Sequence, residues 1–298
     1  MTEPFCAAPG DDGGPGRVNA LTVDIEDYFQ VEAFSGLVPR ERWNDYDWRV
    51  EDNTGRILDL FAACGARATF FTLGSVAERF PRLIRRIVAD GHEVASHGQM
   101  HYLATTQTPE AFRADVEKAK QLLEDLTGEA VLGYRAPSFS IGRENQWAFR
   151  ILAAAGYRYS SSVYPIRHDI YGIPDAPRFA YRPLDDTPLH EFPGTTIHLF
   201  GQNLPCGGGG YFRIFPYVWS RWAWRRLAAR DHQPCIFYFH PWEIDPGQPH
   251  IEGAPLKSRL RHYTGLRGME GKIRRALNDF SWAPMREVFS AAINEDPA

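Results

Sequence analysis

Residues 68–96, ATFFTLGSVAERFPRLIRRIVADGHEVAS, carry the pattern from which the fold can be inferred. Two short apolar runs, 68–73 and 92–96, have the length and composition of buried strands. Between them, apolar residues recur at helical spacing and predict one amphipathic helix, with the apolar face formed by Val76, Phe80, Leu83, Ile84, Ile87 and Val88. A strand, a helix and a second strand in this order indicate parallel strands joined by a crossover helix.

The same alternation continues on both sides of this stretch. Five further strands are predicted over 20–25, 131–134, 157–160, 189–192 and 235–239. Helices are predicted around Ile57–Phe61, from the Thr108 N-cap to Gly128, over about 145–155, and over about 217–230. Seven strands in one unit favour an α/β fold, an incomplete or distorted (β/α)7 barrel with a C-terminal helical appendage.

The predicted domain organisation is a disordered tail over 1–17, a barrel over 18–250 and an appendage over 251–298 that packs on the barrel. From about Leu256 the chain becomes basic and helical. The glycine-rich piece 201–210, GQNLPCGGGG, is interpreted as a flexible loop.

Composition excludes several classes of protein. The chain has 298 residues and a formal net charge of −4, which is too close to neutral to indicate a nucleic acid or a membrane surface as partner. The first residues have neither a basic start nor an apolar stretch, so no secretory signal is expected. Cys6, Cys64, Cys206 and Cys235 are far apart, which predicts isolated reduced thiols in a cytoplasmic protein.

Polar residues stand at the ends of four predicted strands. The first strand ends in Asp24-Ile25-Glu26-Asp27, the third is followed by His97, the fourth by Arg135 and the seventh by His240. In barrels of parallel strands, active sites lie at the C-terminal ends of the strands. These side chains are therefore expected to converge on one rim.

The histidines and acids of this rim have the residue types of a metal site. His97 and His101 are four residues apart, so on a helical turn both imidazoles face the same way and can bind one metal. Asp24 and Glu26 are two apart on an extended segment and also point the same way, so that one can bind the metal and the other can accept a proton. Asp27 competes with Glu26 for the ligand role, and the alternative is that these acids cap the following turn.

At this point the sequence resembles the polysaccharide deacetylase family, the NodB-homology or carbohydrate esterase group. The family motifs TFDDG, H(S/T)xxH, RxPxx and a late leucine-or-aromatic-x-His appear in the same order over about residues 18–245. They read here Thr22–Asp27, His97–His101 with Gly98 in the Ser/Thr position, Arg135–Phe139 and Tyr238–His240. The sequence departs from the family at Ser160-Ser161-Ser162, where an aspartate often precedes the serines.

The likeness is greater to a subgroup associated with bacterial exopolysaccharide and PEP-CTERM loci. That subgroup shows VDxEDYFQV, HPWE and RHYxGL, which here are 23–31, 240–243 and 261–266. The resemblance implies an N-acetylated carbohydrate as substrate, and polysaccharide synthesis machinery at the inner membrane as a partner.

The resemblance also implies a mechanism. A divalent metal, with zinc expected, is bound by Glu26, His97 and His101, and it activates water and polarises the acetamide carbonyl. Asp24 is the general base, Arg135 orients it through a guanidinium–carboxylate fork, and a backbone N–H near Ser138 stabilises the oxyanion. His240 protonates the leaving amine.

Two other functions stay open at this stage, and three aromatic residues are candidates for sugar stacking. The first alternative is a cyclic amidase that acts on an imide or ureide, and the second is an inactive sugar-binding module. The aromatic candidates are Trp242, Tyr164 and Tyr211.

Overall fold

The computed structural model describes residues 17–169 and 171–295, so the predicted tail lies almost entirely outside the described residues. Seven parallel strands form one curved sheet in the order β9-β1-β2-β3-β4-β5-β6. Their bounds are β1 Asn19–Ile25, β2 Thr69–Thr72, β3 Glu93–Ser96, β4 Gly133–Tyr134, β5 Tyr159–Ser160, β6 His190–Glu191 and β9 Ile236–Phe239. All seven predicted strands are present, and the distorted barrel is confirmed.

Helices follow the strands and cover the outside of the sheet. They are α1 Val50–Cys64, α2 Gly74–Arg79, α3 Pro81–Ala89, α4 Pro109–Thr127, α5 Trp147–Ala154, α6 Gly209–Ile214 and α7 Tyr217–Arg226. The predicted limits of α4 are confirmed, because the Thr108 side chain accepts a hydrogen bond from the backbone N–H of Ala111 and Gly128 ends the helix in the left-handed conformation.

The single amphipathic helix predicted after Gly74-Ser75 is in fact two helices, α2 and α3. Phe80 leaves the helical conformation, with φ −124° and ψ 58°, and Pro81 begins the second helix. Proline has no N–H to donate and disfavours a helical conformation in the residue before it. The break therefore follows from the chain itself, while both helices keep their apolar faces on the core.

Strand β1 lies between β9 and β2 and contributes to both the core and the site. Leu21, Val23 and Ile25 are fully buried in the main hydrophobic cluster. Asp24 and Glu26, in the alternate positions, face the cavity inside the barrel. Because side chains alternate across a strand, this segment has one apolar face and one face that carries the two acidic side chains of the site.

The barrel is open between β6 and β9, and residues 195–208 bridge the opening. Thr195 Oγ1 accepts from Ile236 N at 2.7 Å, and Gly207 O accepts from Tyr238 N at 2.8 Å. A Cβ on Gly208, which has φ 133°, would lie 2.0 Å from Tyr238 O. This stretch is ordered by close backbone contact, so the prediction of a flexible loop over 201–210 is wrong.

Part of the same segment forms regular structure. Strands β7 Thr196–Leu199 and β8 Gln202–Pro205 form a small antiparallel hairpin, and α6 begins at Gly209. The sequence prediction missed the hairpin because its strands are short and, in β8, polar.

The C-terminal segment contains α8 Leu256–Tyr263, α9 Leu266–Asp279, β10 Trp282–Ala283, α10 Met285–Val288 and α11 Ser290–Ile293. Helix α9 contacts α1, α6 and α7, and β10 pairs with the first residues of β1. The segment therefore adds a short strand to the barrel as well as helices.

Two further expectations can be compared with the structure. Cys206 and Cys235 are free and buried, as predicted, but Cys64 is disulfide-bonded, so the prediction of reduced thiols is wrong for this residue. Distance along the sequence does not limit which cysteines meet in space. Among the described residues, no helix is both long and apolar enough to cross a bilayer.

Candidate metal centre and active site

The strand ends converge on one cavity of about 320 Å³. Asp24, Glu26, His97, His101 and His240 all line it. Arg135 lies directly beneath, buried against Asp24. The structure therefore brings together the six residues that the sequence predicted for catalysis and metal binding.

Glu26, His97 and His101 form the one cluster in the described part of the chain that can offer three ligand atoms to a metal. One atom from each lies within 4.8 Å of the others, and all three residues are buried. His101 Nε2 is 2.6 Å from Glu26 Oε2. Two imidazoles and one carboxylate are the donor set of many catalytic zinc sites, in which the remaining position stays open for the reacting groups.

The electrostatics of this cluster suit a metal site. Burial lowers the pKa of His97 to about 4, so its imidazole is neutral and has a lone pair to donate at neutral pH. Burial alone would raise the pKa of Glu26, but His101, His240 and His97 outweigh it and lower the pKa, so the carboxylate is ionised. His97 Nδ1 lies 2.8 Å from the carbonyl oxygen of Arg135, which leaves Nε2 for the metal.

The turn from His97 to His101 is not helical, so the predicted reason for their convergence is wrong. Gly98 and His101 have φ values of 80° and 54°, and these two left-handed residues fold the chain back. Arg40 holds the turn from outside by donating to the carbonyl oxygens of Met100 and His101, at 2.6 and 2.5 Å. Arg40 was not identified from the sequence.

Glu26 and Asp27 have different surroundings, which bears on the alternative left open by the sequence. Asp27 Oδ2 accepts from the backbone N–H groups of Arg49 and Val50 at 2.7 and 2.8 Å, at the start of α1. Burial raises the pKa of Asp27 to about 6 despite these bonds. The structure thus places Asp27 as a cap of α1 and Glu26 with the two histidines.

Asp24 and Arg135 form a buried ion pair. Arg135 Nη1 donates to Asp24 Oδ1 at 2.6 Å and to Thr22 Oγ1 at 2.9 Å, while Nε and Nη2 donate to the carbonyl and hydroxyl oxygens of Ser161. The predicted two-bond fork to Asp24 is therefore wrong, because Ser161 takes the other side of the guanidinium. Ser161, the middle residue of the Ser160-Ser161-Ser162 run, therefore fixes this side of Arg135.

His240 faces the cavity between carboxylates. Its Nε2 lies 3.9 Å from Asp24 Oδ2 and 3.7 Å from Glu26 Oε1, and its Nδ1 lies 3.7 Å from Glu243 Oε1. Burial would lower the pKa of His240, but Glu26, Glu243 and Asp24 outweigh it and raise the pKa to about 9. The imidazole is therefore positively charged at neutral pH.

Glu243 and Arg213 complete this part of the site, and the sequence did not identify either as functional. Both Glu243 oxygens, His240 Nδ1 and Arg213 Nε are buried without a hydrogen-bond partner. Arg213 Nε lies 3.5 Å from Glu243 Oε1, so the three groups interact as charges. Glu243 belongs to the HPWE motif, and this motif is the sequence feature from which its functional role could have been predicted.

The three aromatic candidates for sugar stacking lie in different environments. Tyr164 is fully buried and outside the cavity lining, so that prediction is wrong. Trp242 is 6% exposed, stacks on His240 and His262, and donates from Nε1 to Glu26 Oε1 at 3.1 Å, so it supports the site rather than offering a free ring face. Tyr211 lines the cavity and stays a candidate.

The remaining predicted residue, Ser138, lies in the cavity wall next to the metal-site residues. Its φ of 52° places it in the left-handed region, as does the φ of 50° for Phe139. Two consecutive non-glycine residues in this region cost conformational energy, which is typical of functional loops. The role of its backbone N–H as an oxyanion donor stays a prediction.

Comparison with known proteins finds two family matches along the chain. Residues 42–160 match the family model described as polysaccharide deacetylase, and residues 161–290 match a domain of unknown function, DUF3473. The first part of the chain is thus similar to polysaccharide deacetylases, and a DUF3473 match follows it. The deacetylases are hydrolases that act on carbon–nitrogen bonds other than peptide bonds.

One curated relative is a peptidoglycan-N-acetylglucosamine deacetylase from Bacillus cereus, 31% identical over 105 residues, which are 35% of this chain and 47% of the relative. The chain thus covers less than half of this relative. A solved putative polysaccharide deacetylase from Mycobacterium smegmatis shares the fold, with a TM-score of 0.58 at 20% identity over 97% of this chain and 95% of that one.

A solved allantoinase has the same fold, with a TM-score of 0.56 at 18% identity over 94% of this chain and 93% of that one. Each family match contains part of the site, whereas Asp24 and Glu26 precede both. His97, His101 and Arg135 lie in the first, and His240 and Glu243 lie in the second. Both regions are needed to build one cavity.

Proposed function

We propose that this protein is a metal-dependent N-deacetylase that hydrolyses the acetamido group of an N-acetylated carbohydrate. The observation that carries the proposal is one cavity in which the buried set Glu26, His97 and His101 lies beside Asp24 and His240. The first set fits a metal, and the other two residues fit an acid and a base.

Glu26, His97 and His101 would hold the metal, for which we propose zinc. When bound, the metal supplies an activated nucleophile at neutral pH and polarises the amide carbonyl. Neutral imidazoles and an ionised carboxylate are the forms that bind a cation, and the pKa directions of His97 and Glu26 agree with them.

Asp24 acts as the general base and takes a proton from the attacking water. Arg135 binds only one of its oxygens, Oδ1, which leaves Oδ2 facing the cavity on the side of His240. The hydrogen bonds of Arg135 to Ser161 and Thr22 fix the position of its guanidinium and with it the direction of the Asp24 carboxylate.

His240 acts as the general acid and gives its Nε2 proton to the nitrogen of the leaving amine. Breakage of the C–N bond then yields acetate and a free amino sugar. Glu243 is a positioning residue, because its carboxylate faces Nδ1 and favours a charged imidazole with Nε2 turned to the cavity. Arg213 compensates the buried charge of Glu243.

The substrate we propose is a polysaccharide or its precursor, in exopolysaccharide biosynthesis. A match to the polysaccharide deacetylase model supports a carbohydrate. The B. cereus relative is named for N-acetylglucosamine, and the motif likeness to the exopolysaccharide subgroup supports the biosynthetic role. A cytoplasmic location stays a prediction, and the Cys64 disulfide does not favour it.

The test is acetate release from a panel of N-acetylated oligosaccharides, together with the metal content of the purified protein. We expect acetate release that a chelator abolishes and that added zinc restores. His97→Ala and His101→Ala should each lose the metal and the activity while circular dichroism stays unchanged. Full metal occupancy in either variant would contradict the ligand assignment.

The same assay separates the rival functions. A cyclic amidase would open a ring imide or ureide without releasing acetate, and the fold shared with an allantoinase makes this substrate class the appropriate second panel. An inactive sugar-binding module would bind oligosaccharides without turnover at any metal concentration.

A further inference from the structure

Charge is distributed very unevenly along this chain. Residues 211–231 and 256–275 contain 12 lysines and arginines against two acids. The whole chain has 33 basic and 37 acidic residues, which leaves 21 against 35 for the rest. The near-neutral net charge therefore conceals one strongly basic region on an otherwise acidic protein.

The same two segments hold most of the exposed large apolar side chains of the described residues. Six of the ten lie here, namely Ile214, Phe215, Val218, Trp222, Leu256 and Leu260. Val218, Leu256 and Leu260 are exposed to 68%, 69% and 58%. Leu256 and Leu260 are four apart on α8 and share one face of the helix.

The two segments are neighbours in space. Helix α9 contacts both α6 and α7 and follows α8 directly. Arg213, at the end of α6, donates to the carbonyl oxygens of Arg261 and His262 in α8 at 2.7 Å each. We call the surface made by α6, α7, α8 and the exposed side of α9 the basic face.

The basic face borders the mouth of the cavity. Ile214 from α6 and Ser258 and Arg261 from α8 line the cavity and also belong to this surface. Arg261 and Lys257 reach across the mouth to Asp169, with Lys257 Nζ 2.6 Å from Asp169 Oδ2. A partner bound to the basic face would therefore lie beside the opening of the site.

We propose that the basic face docks this protein on the surface of an anionic lipid bilayer, with the cavity mouth at the lipid headgroups. Cations next to exposed aliphatic and tryptophan side chains are what a peripheral membrane surface requires, because the cations bind anionic headgroups and the apolar groups enter the headgroup boundary. A hydrated polyanion would bind to the cations alone and would not need the exposed apolar side chains. The exposed apolar residues thus favour a lipid surface.

The experiment is co-sedimentation of the whole protein with vesicles of phosphatidylcholine, or of phosphatidylcholine mixed with phosphatidylglycerol. We expect binding only to the anionic vesicles, weakened by salt. Each cation near an anionic surface contributes about fivefold in partitioning, so Arg259→Ala with Arg267→Ala should lower binding roughly 25-fold.

Two matched control variants make the test specific. Arg82→Ala with Arg85→Ala removes two exposed cations from α3, outside the basic face. Vesicle binding of this variant should stay within about twofold of the parent protein, because surface charges beyond a Debye length are largely screened. Phe200→Ser removes an apolar side chain that is 94% exposed at the β7–β8 turn, and it should also leave binding unchanged.

Leu256→Ser with Leu260→Ser decides between a bilayer and a soluble polyanion. Loss of vesicle binding in this variant supports docking on lipid. Retained binding that soluble dextran sulfate competes away would overturn the proposal in favour of a polyanion, and absence of binding to anionic vesicles at low salt would overturn it outright. The measurement is made on chelated protein, so its outcome does not depend on the proposed deacetylase activity.

Discussion

At the scale of single residues, two adjacent carboxylates have separate tasks. Glu26 contacts His101, whereas Asp27 caps α1 through the N–H groups of Arg49 and Val50. The backbone turns between them, so neighbours in the sequence face different parts of the structure.

We therefore expect Glu26→Gln to weaken metal binding at least tenfold and Asp27→Asn to leave it nearly unchanged, because only Glu26 faces the histidines. Asp27→Ala should instead lower the free energy of unfolding by about 1–2 kcal/mol through loss of the cap. Metal titration and urea unfolding measure the two effects. A larger metal defect in the Asp27→Asn variant would transfer the ligand role to Asp27.

The roles of Asp24 as base and His240 as acid can be distinguished with two substrates that differ in their leaving group. Asp24→Asn should keep the metal but lose nearly all turnover on both an amide and an aryl acetate, because both reactions need the activated water. His240→Ala should lose far more turnover on the amide than on the aryl acetate. The reason is that an amine must be protonated before it departs, whereas an aryl alcohol need not be. The readout is the ratio of ester to amide rates, and equal losses for the His240 variant would exclude it as the acid.

Glu243 should act only through His240. Glu243→Gln should retain the metal and reduce amide turnover by about 10–100-fold while it spares the aryl ester, and Glu243→Asp should recover part of the loss. Glu32→Gln is the matched control, because Glu32 lines the same cavity and pairs instead with Ser35. A loss of equal size on both substrates would mean that Glu243 serves stability alone.

At the scale of elements, the metal site depends on a turn rather than on a helix. Gly98 has φ 80°, and a Cβ there would lie 2.7 Å from Asp115 Oδ2. Asp115 Oδ2 also accepts from Gln99 N at 2.9 Å, so the carboxylate cannot move away without breaking the turn. This explains glycine at the position where the family motif has Ser or Thr.

We expect Gly98→Ser, which restores the usual family residue, to lower metal affinity about tenfold or more and to destabilise the fold by roughly 1–2 kcal/mol, the cost of a side chain in the left-handed region. Gly36→Ala is a control, because a Cβ there meets nothing within 4 Å. Zinc titration and thermal unfolding test both effects. Unchanged affinity would show that the turn tolerates a side chain.

At the scale of the whole molecule, the C-terminal segment is part of the site. His262 stacks on Trp242 with ring centroids 4.2 Å apart, and Arg213 joins α8 to Glu243. Gly265 has φ 83°, and a Cβ there would lie 2.6 Å from Arg213 O. The RHYxGL motif thus fixes one wall of the cavity against the barrel.

Gly265→Ala should displace α8 and raise KM for carbohydrate substrates several-fold while the metal content stays unchanged, because Glu26, His97 and His101 belong to the barrel and not to α8. Gly271→Ala is the matched control in α9, where an added Cβ meets nothing within 4 Å. Steady-state kinetics and metal analysis on both variants make the test. Loss of metal in the Gly265 variant would show that the wall supports the centre itself.

The sequence by itself determined the seven strands and the rim on which Asp24, Glu26, His97 and His240 meet. Both follow from local rules, since buried strands are apolar runs and parallel strands end on one side of a barrel. Even the break at Phe80-Pro81, which was missed, is encoded locally by proline.

Only the tertiary structure decided which polar groups are partners. Asp27 finds its donors 22 and 23 residues away, and Glu26 meets the Trp242 indole 216 residues away. The link from Arg213 to Glu243, and the meeting of two basic segments at the cavity mouth, likewise join parts of the chain that are distant in sequence. Periodicity reports which face of an element is apolar, but a buried charge is satisfied by whatever group folding brings within reach.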